Sequence, residues 1–513
     1  MVSKILTACI TGLDVYKITA EVDINYSLPA VAIVGLPDAA ITEARERIRS
    51  AVKNSGFLFP NKKVVVNLAP ADIKKIGSGY DLPIAIGILV KEGFIEPFDF
   101  ERTAFIGELS LDGSLRAVNG VLPAAAGLKE QGIETLIAPR ANAKEAAIVS
   151  GLTVFGAENL NEIAAHFNKN SPEHKPMQPV SADISNYMQQ DSEKDLPFDF
   201  KDVKGQIKAK KAMEIAAAGA HNLLMSGPPG SGKTLLAKCF PSILPPLTFE
   251  EALELTKIYS IAGLINADKP LINRRPFRCV HHTASAAGIT GGGTNPSPGE
   301  ITLAHRGVLF LDEFAEFPRT VLEVLRQPVE DGRIVIARAK TRLEFPADFI
   351  LLGAMNPCPC GYLGDAQKQC TCTEHQIQQY RSKLSGPLID RIDMIIDVPR
   401  LNLEELADNQ MPEAESSAQI RERVKKARDI QLERYKGLGI YSNSELTPRL
   451  IKKYCRLDDA AMNIFKNAAA KFNLSARGCS RLLKLSRTAA DLDGSADITA
   501  LHIAQAVQYR SNM

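Results

Sequence analysis

The pattern of apolar and polar positions changes character three times along the chain. Up to residue 168, short β-rich runs (64–68, 135–138, 153–155) alternate with stretches of helical period (39–54, 143–149, 160–167), which predicts a compact α/β unit over 1–168. Residues 169–196 are rich in Pro, Ser, Asn, Gln and charge, with almost no apolar periodicity, the pattern of an exposed linker. Beyond it, apolar runs at 223–226, 307–311 and 349–355, with a helix opening at 233–239, predict a parallel sheet with helices on its faces over 197–410. From 411 to 513 the pattern is helical (413–435, 447–456, 458–472, 476–491, 499–509), an all-helical unit. No repeat of solenoid period is present.

A length of 513 residues gives room for about three to four domains. With 61 Lys and Arg against 59 Asp and Glu, 45% hydrophobic residues and no Trp, the composition is ordinary and globular, and the net charge of +2 names no partner. The most apolar stretch, 82–90, is far short of the ~20 residues a membrane span needs, and no charged-then-apolar leader opens the chain. The expectation is a cytoplasmic protein with no membrane partner. Nine cysteines, four of them crowded at 358–372, suit metal binding in a reducing compartment better than a disulfide framework.

The chemistry begins at Gly227, Pro228, Pro229, Gly230, Ser231, Gly232, Lys233 and Thr234, between an apolar strand and a helix. Glycines at this spacing let successive N–H groups turn around phosphates at a helix N-terminus. Lys233 then reaches the β and γ phosphates, and the Thr234 hydroxyl ligates Mg²⁺. The bland alternative is a Gly-rich turn with an exposed lysine. Against it, the buried run 308–311 carries out Asp312 and Glu313 at the carboxyl end of a strand, where open α/β sheets bind ligands. Asp312 suits the Mg²⁺ shell, and Glu313 is placed to polarise an attacking water, so ATP hydrolysis rather than mere binding is expected. A third strand ends at Asn356, an amide able to orient that water or else a turn residue.

With these motifs the chain resembles the AAA+ ATPases, in the branch shared by the magnesium-chelatase motor subunit and the ComM/YifB proteins. The resemblance extends through the Asp199–Gln206 segment, the segment 275–283 leading to three glycines at 291–293, and the Ser385–Asp393 segment. It implies an AAA+ P-loop core with a helical lid, and a Lon-protease-like α/β domain before it. It also implies that Arg391 is a finger entering the neighbouring subunit's site, where the bland reading is a salt bridge to Asp390 or Asp393. Arg477, with Arg481 one turn on, looks like the second-sensor arginine that contacts the γ phosphate from the lid. A finger acting between subunits requires a homo-oligomeric ring, by resemblance a hexamer.

The first domain resembles Lon protease through the segments 67–72, 80–85, 107–113 and 142–146. Alignment to the protease motif puts Gly79 where the nucleophilic serine belongs, with Ser78 one position away, and Leu122 where the dyad lysine belongs, with Lys129 beyond it. No base is placed to activate a serine, so an inactive scaffold or DNA-contacting module is expected.

Residues 331–343 alternate as a hairpin with a basic tip. In the resembling ATPases such a hairpin points into the central pore, where Arg338, Lys340 and Arg342 would ring a phosphate backbone of single-stranded or branched DNA; the alternative is a solvated edge hairpin. The loop 282–294 matches a second pore-reaching insertion and carries no aromatic residue for base stacking. Cys358, Cys360, Cys370 and Cys372 supply four thiolates for a tetrahedral structural Zn²⁺, with His375 as a replacement ligand and free or redox-active thiols as the alternative. The resemblance to the ComM proteins implies an ATP-driven DNA helicase that moves branched DNA during recombination in natural transformation; the residues themselves point to an ATPase. The rivals are a chelatase-type motor remodelling a protein or assisting Mg²⁺ insertion into a porphyrin, and a nucleotide-gated scaffold, which an intact Glu313 disfavours.

Overall fold

The computed structural model of the chain describes residues 2–189, 197–293, 297–338, 341–401 and 414–510. Its first unit is a seven-stranded mixed sheet in the order Ala30–Val34, Lys63–Ala69, Asp14–Asn25, Ser3–Thr11, Thr103–Phe105, Thr135–Pro139, Thr153–Ala157. The central pairings are antiparallel and the flanking ones parallel. In Lys63–Ala69 the alternation is visible as buried Val64, Val66 and Leu68 between less buried neighbours. The apolar stretch 82–90 becomes the helix Asp81–Lys91, buried along nearly its whole length, as a helix without a polar face must be.

The helix expected at 143–149 runs Arg140–Ala146, because the strand ends at Pro139 and the chain turns into the helix at once. The segment 169–189 is mostly exposed but is anchored at points along its length. Val180 N–H donates to Val154 O at 2.8 Å, and Ile184–Gln189 is a short helix. Tyr187 and Met188 from that helix pack, partly buried, against the cluster that contains Leu122, Leu247 and Leu255. Apolar residues too sparse to form a period still found partners one at a time.

The second unit is a fully parallel five-stranded sheet ordered Phe277–Val280, Val308–Leu311, Ile350–Met355, Leu223–Ser226, Met394–Asp397. The phosphate-loop strand therefore lies inside the sheet, one strand from its edge. The helical unit follows with Ser417–Arg434, Pro448–Tyr454, Asp459–Lys471, Ala476–Leu492 and Ala500–Gln508. The first starts four residues later than its pattern suggested, at a capping box on Ser416. No helix among the described residues is long and apolar enough to cross a membrane.

The units are joined through packed cores. Leu122 and Ile148 of the first share a cluster with Leu247, Ala252, Leu255 and Leu271 of the second. Gly120 N–H donates to Ser260 O at 3.0 Å, and the buried Glu145 carboxylate accepts from Leu122 N–H at 3.1 Å and from the Ser260 hydroxyl. Asp199 caps the start of the second unit and accepts the Ser417 N–H at 2.9 Å, which ties that start to the first lid helix.

Candidate nucleotide site

The strand Leu223–Ser226 delivers the loop 227–232 to the helix Lys233–Cys239. Gly230 and Gly232 take φ of +78° and +92°, and a Cβ added to either would meet nothing within 4 Å. The loop needs glycine for its backbone and leaves an open cradle beside it. Lys233 is buried; its Nζ donates to Gly227 O at 2.7 Å and Pro228 O at 2.9 Å, and lies 3.5 Å from Asn356 Oδ1. Burial pushes its ammonium down to about 8, opposed by Asp312. Thr234 Oγ1 donates to Asp312 Oδ2 at 3.0 Å. Lysine, hydroxyl, carboxylate and open cradle together fit a nucleoside triphosphate with Mg²⁺.

Glu313 follows Asp312 with φ +53°, the left-handed region that few side chains other than glycine enter freely. Its Oε2 lies 2.9 Å from His282 Nδ1, and His281 completes a group whose ligand-type atoms lie within 4.8 Å of one another. Sequence reasoning assigned His282 no role. Gln206 was missed in the same way: its amide donates to Ser231 O at 3.3 Å and Pro399 O at 2.7 Å, so it holds the loop from behind.

The arginines gather elsewhere. Arg391 pairs with Glu330 Oε2 and donates to Pro387 O at 2.6 Å, while Arg477 pairs with Glu330 Oε1. The bland alternative for Arg391, a salt bridge to Asp390 or Asp393, is not what the structure shows. Asp393 is taken: Asn222 N–H donates to it at 2.9 Å, Arg481 Nε lies at 3.3 Å and His221 Nδ1 at 3.7 Å. Burial opposes ionisation of Asp393, yet these partners hold its carboxyl well below the usual range. Arg481 also donates to Asp390 O, so the lid helix braces the turn that carries Arg391.

In the first unit Ser78 donates to Glu108, while Lys129 lies beside Gly151. Leu122 is fully buried in the core shared with the second unit. The strands Arg333–Arg338 and Thr341–Pro346 pair antiparallel as the expected hairpin. Arg342 is exposed with no ion pair among the described residues, whereas Arg333 is matched by Glu344 at 3.0 Å. Lys340, at the tip, lies outside the described residues, as does Thr294 at the end of the glycine loop; of Arg338 only the strand backbone is described.

Four sulfurs of Cys358, Cys360, Cys370 and Cys372 lie within 4.8 Å of one another. Three Sγ–Sγ separations are 3.4, 3.6 and 3.7 Å. A tetrahedron of thiolates at a Zn–S bond of about 2.3 Å has edges of about 3.8 Å, so the arrangement fits Zn²⁺.

Comparison with known proteins agrees with this assembly. Residues 199–406 match the family described as magnesium chelatase, subunit ChlI; residues 20–142 match subunit ChlI of Mg-chelatase, and 414–510 its C-terminal part. The chain is 41% identical over 502 residues to the competence protein ComM of Haemophilus influenzae, covering 98% of this chain and 96% of that protein. It is 40% identical over 508 residues to YifB of Salmonella typhimurium, with 98% and 96% covered. Over 194 residues it is 29% identical to Lon protease 2 of Bacillus subtilis, covering 33% of this chain and 34% of that one. The chain therefore belongs to the ComM/YifB family of magnesium-chelatase-like AAA+ ATPases, with a Lon-protease-like N-terminal region.

Proposed function

We propose that the chain is an ATP-driven, ring-forming DNA helicase that promotes branch migration of recombination intermediates in natural transformation. The carrying observation is the division of the catalytic groups into two sets. Lys233, Thr234, Asp312, Glu313 and Asn356 belong to the phosphate loop and the strands around it, whereas Arg391 and Arg477 share the carboxylate of Glu330. Such a division makes one complete site when a second copy brings its Arg391 to the loop, which supports a homo-oligomeric ring, a hexamer by family, with Arg477 reaching the γ phosphate from the lid.

In that site Lys233 and the loop N–H groups hold the β and γ phosphates, and Thr234 and Asp312 orient Mg²⁺. Bound Mg²⁺ supplies charge neutralisation on the phosphate oxygens. Glu313 accepts the proton of the attacking water, Asn356 aligns that water, and Arg391 with Arg477 stabilise the charge that develops on the γ phosphate. The competence name of the relative and the exposed Arg342 on a hairpin support a DNA backbone as the cargo, held by Arg338, Lys340 and Arg342. Zn²⁺ in the cysteine loop is structural. The first domain is a proteolytically inactive scaffold or DNA-contacting module; Leu122, which resemblance aligns with the base position, is buried in interdomain packing, and this supports the reading. The protein is placed in the cytoplasm.

The test is ATP turnover with and without single-stranded and branched DNA. DNA stimulation is expected. Turnover indifferent to DNA would favour the chelatase-type motor acting on a protein or porphyrin partner.

A further inference from the structure

The cysteine loop does not stand apart from the nucleotide site. Gly361, one residue after Cys360, turns with φ +85°, and a Cβ there would lie 2.7 Å from Pro229 Cδ and 3.7 Å from Asn356 Cγ. The loop between the cysteine pairs thus closes on the crest of the phosphate loop, and only glycine permits the approach. Arg400 crosses the same junction. Its Nη2 donates to Pro229 O at 2.8 Å and lies 3.8 Å from the nearly buried Asp365 Oδ2, while Nη1 donates to Gln367 Oε1 at 3.4 Å.

From this we propose that the metal knot is a wall of the nucleotide site. Zn²⁺ on Cys358, Cys360, Cys370 and Cys372 holds residues 361–367 against Pro229, and so sets the ATP affinity of the same chain. The inference rests on the zinc reading above.

Two physical arguments carry it. First, among the described residues and apart from Arg400, the loop is shaped by short-range contacts alone, such as Asp365 N–H to Tyr362 O at 3.1 Å and Gln367 N–H to Asp365 Oδ1 at 2.8 Å. Between Cys360 and Cys370 lie two glycines with positive φ, Gly361 and Gly364, and most of the other side chains are polar or exposed. Without a cross-link its conformational entropy opposes a fixed docking surface. Second, the Pro229–Gly230 peptide is trans and planar, so fixing the Pro229 carbonyl toward Arg400 turns the Gly230 N–H the opposite way. Arg400 can do this only while Asp365 and Gln367, carried by the knotted loop, orient its guanidinium.

The experiment measures zinc content of the purified full-length protein with a chromogenic chelator, and its affinity for a fluorescent ATP analogue by anisotropy. Native protein is expected to hold one Zn²⁺ per chain. Stripping the metal, or the pair Cys370→Ser with Cys372→Ser, is expected to weaken nucleotide binding, and returning Zn²⁺ to stripped native protein to restore it. Arg400→Ala keeps its zinc and weakens ATP binding roughly tenfold, the cost of one charged hydrogen bond. This second variant decides the matter where the cysteine variants fail to fold. A protein that holds no zinc and binds none overturns the metal reading and the wall together. Zinc that is bound yet removable without change in ATP affinity, or an Arg400→Ala protein of native affinity, overturns the wall alone.

Discussion

His282 Nδ1 stands 2.9 Å from Glu313 Oε2, and the sheet register is the reason. Val280 pairs with Leu311 at the ends of two adjacent parallel strands, and each of the two residues lies two positions beyond its strand partner. The register sets the imidazole beside the carboxylate proposed to accept the water proton. His282 also begins the segment that leads to the glycine loop at 291–293.

Replacing His282 by Ala is expected to lower kcat by roughly ten- to a hundredfold, the cost of a misplaced catalytic group, while the KM for ATP stays near its native value. His282→Asn, which keeps a hydrogen-bonding group, should recover part of the loss. Steady-state kinetics checks this; an unchanged kcat removes His282 from the mechanism.

Lys233 gives a pH signature. Burial lowers its ammonium to about 8 in the free protein, against 10.5 for an ordinary lysine. Between these values the unfolded chain binds more protons, so this group's contribution to folding stability rises with pH there. Phosphate charge favours the protonated form, so ATP binding takes up protons above pH 8 and weakens as pH rises. Calorimetry in buffers of different ionisation heat checks this. Lys233→Met should abolish the uptake, and equal proton linkage in the two proteins would refute the assignment.

The sharing of Glu330 by Arg391 and Arg477 predicts complementation. Lys233→Ala and Arg391→Ala proteins are each expected to be inactive alone, and a mixture to regain ATPase activity, because some interfaces then join an intact loop to an intact arginine. A mixture as inactive as its parts would place the arginine's action within its own chain.

The hairpin prediction concerns salt. If Arg338, Lys340 and Arg342 contact phosphates, each substitution by Ala reduces the slope of log affinity against log salt by about 0.7 for a single strand, with little change in sequence preference. Binding titrations at several salt concentrations give the slope. Identical slopes would put the DNA contacts elsewhere.

What could be read in advance follows from how local each feature is. The phosphate loop, the Asp312–Glu313 strand end, the hairpin and most helices are written within single segments, where spacing and period suffice. Glu330 could not be found as the shared partner, because it lies 61 and 147 positions from its two arginines and no local pattern links them. His282 was visible as a residue but acquires its role only from strand register. The four cysteines were legible as a cluster able to hold a metal, while the approach of their loop to Pro229 depends on tertiary packing. The order of the first sheet, with antiparallel strands inside parallel ones, was likewise beyond periodicity.

On the proposed function, ATP hydrolysis moves DNA strands. The most direct test of this is ATP-dependent strand separation on forked and three-stranded DNA by the purified protein, with Lys233→Ala as the inactive control. Separation by the native protein and none by the control is the predicted result. Hydrolysis of ATP with no strand displaced on either substrate would contradict the claim.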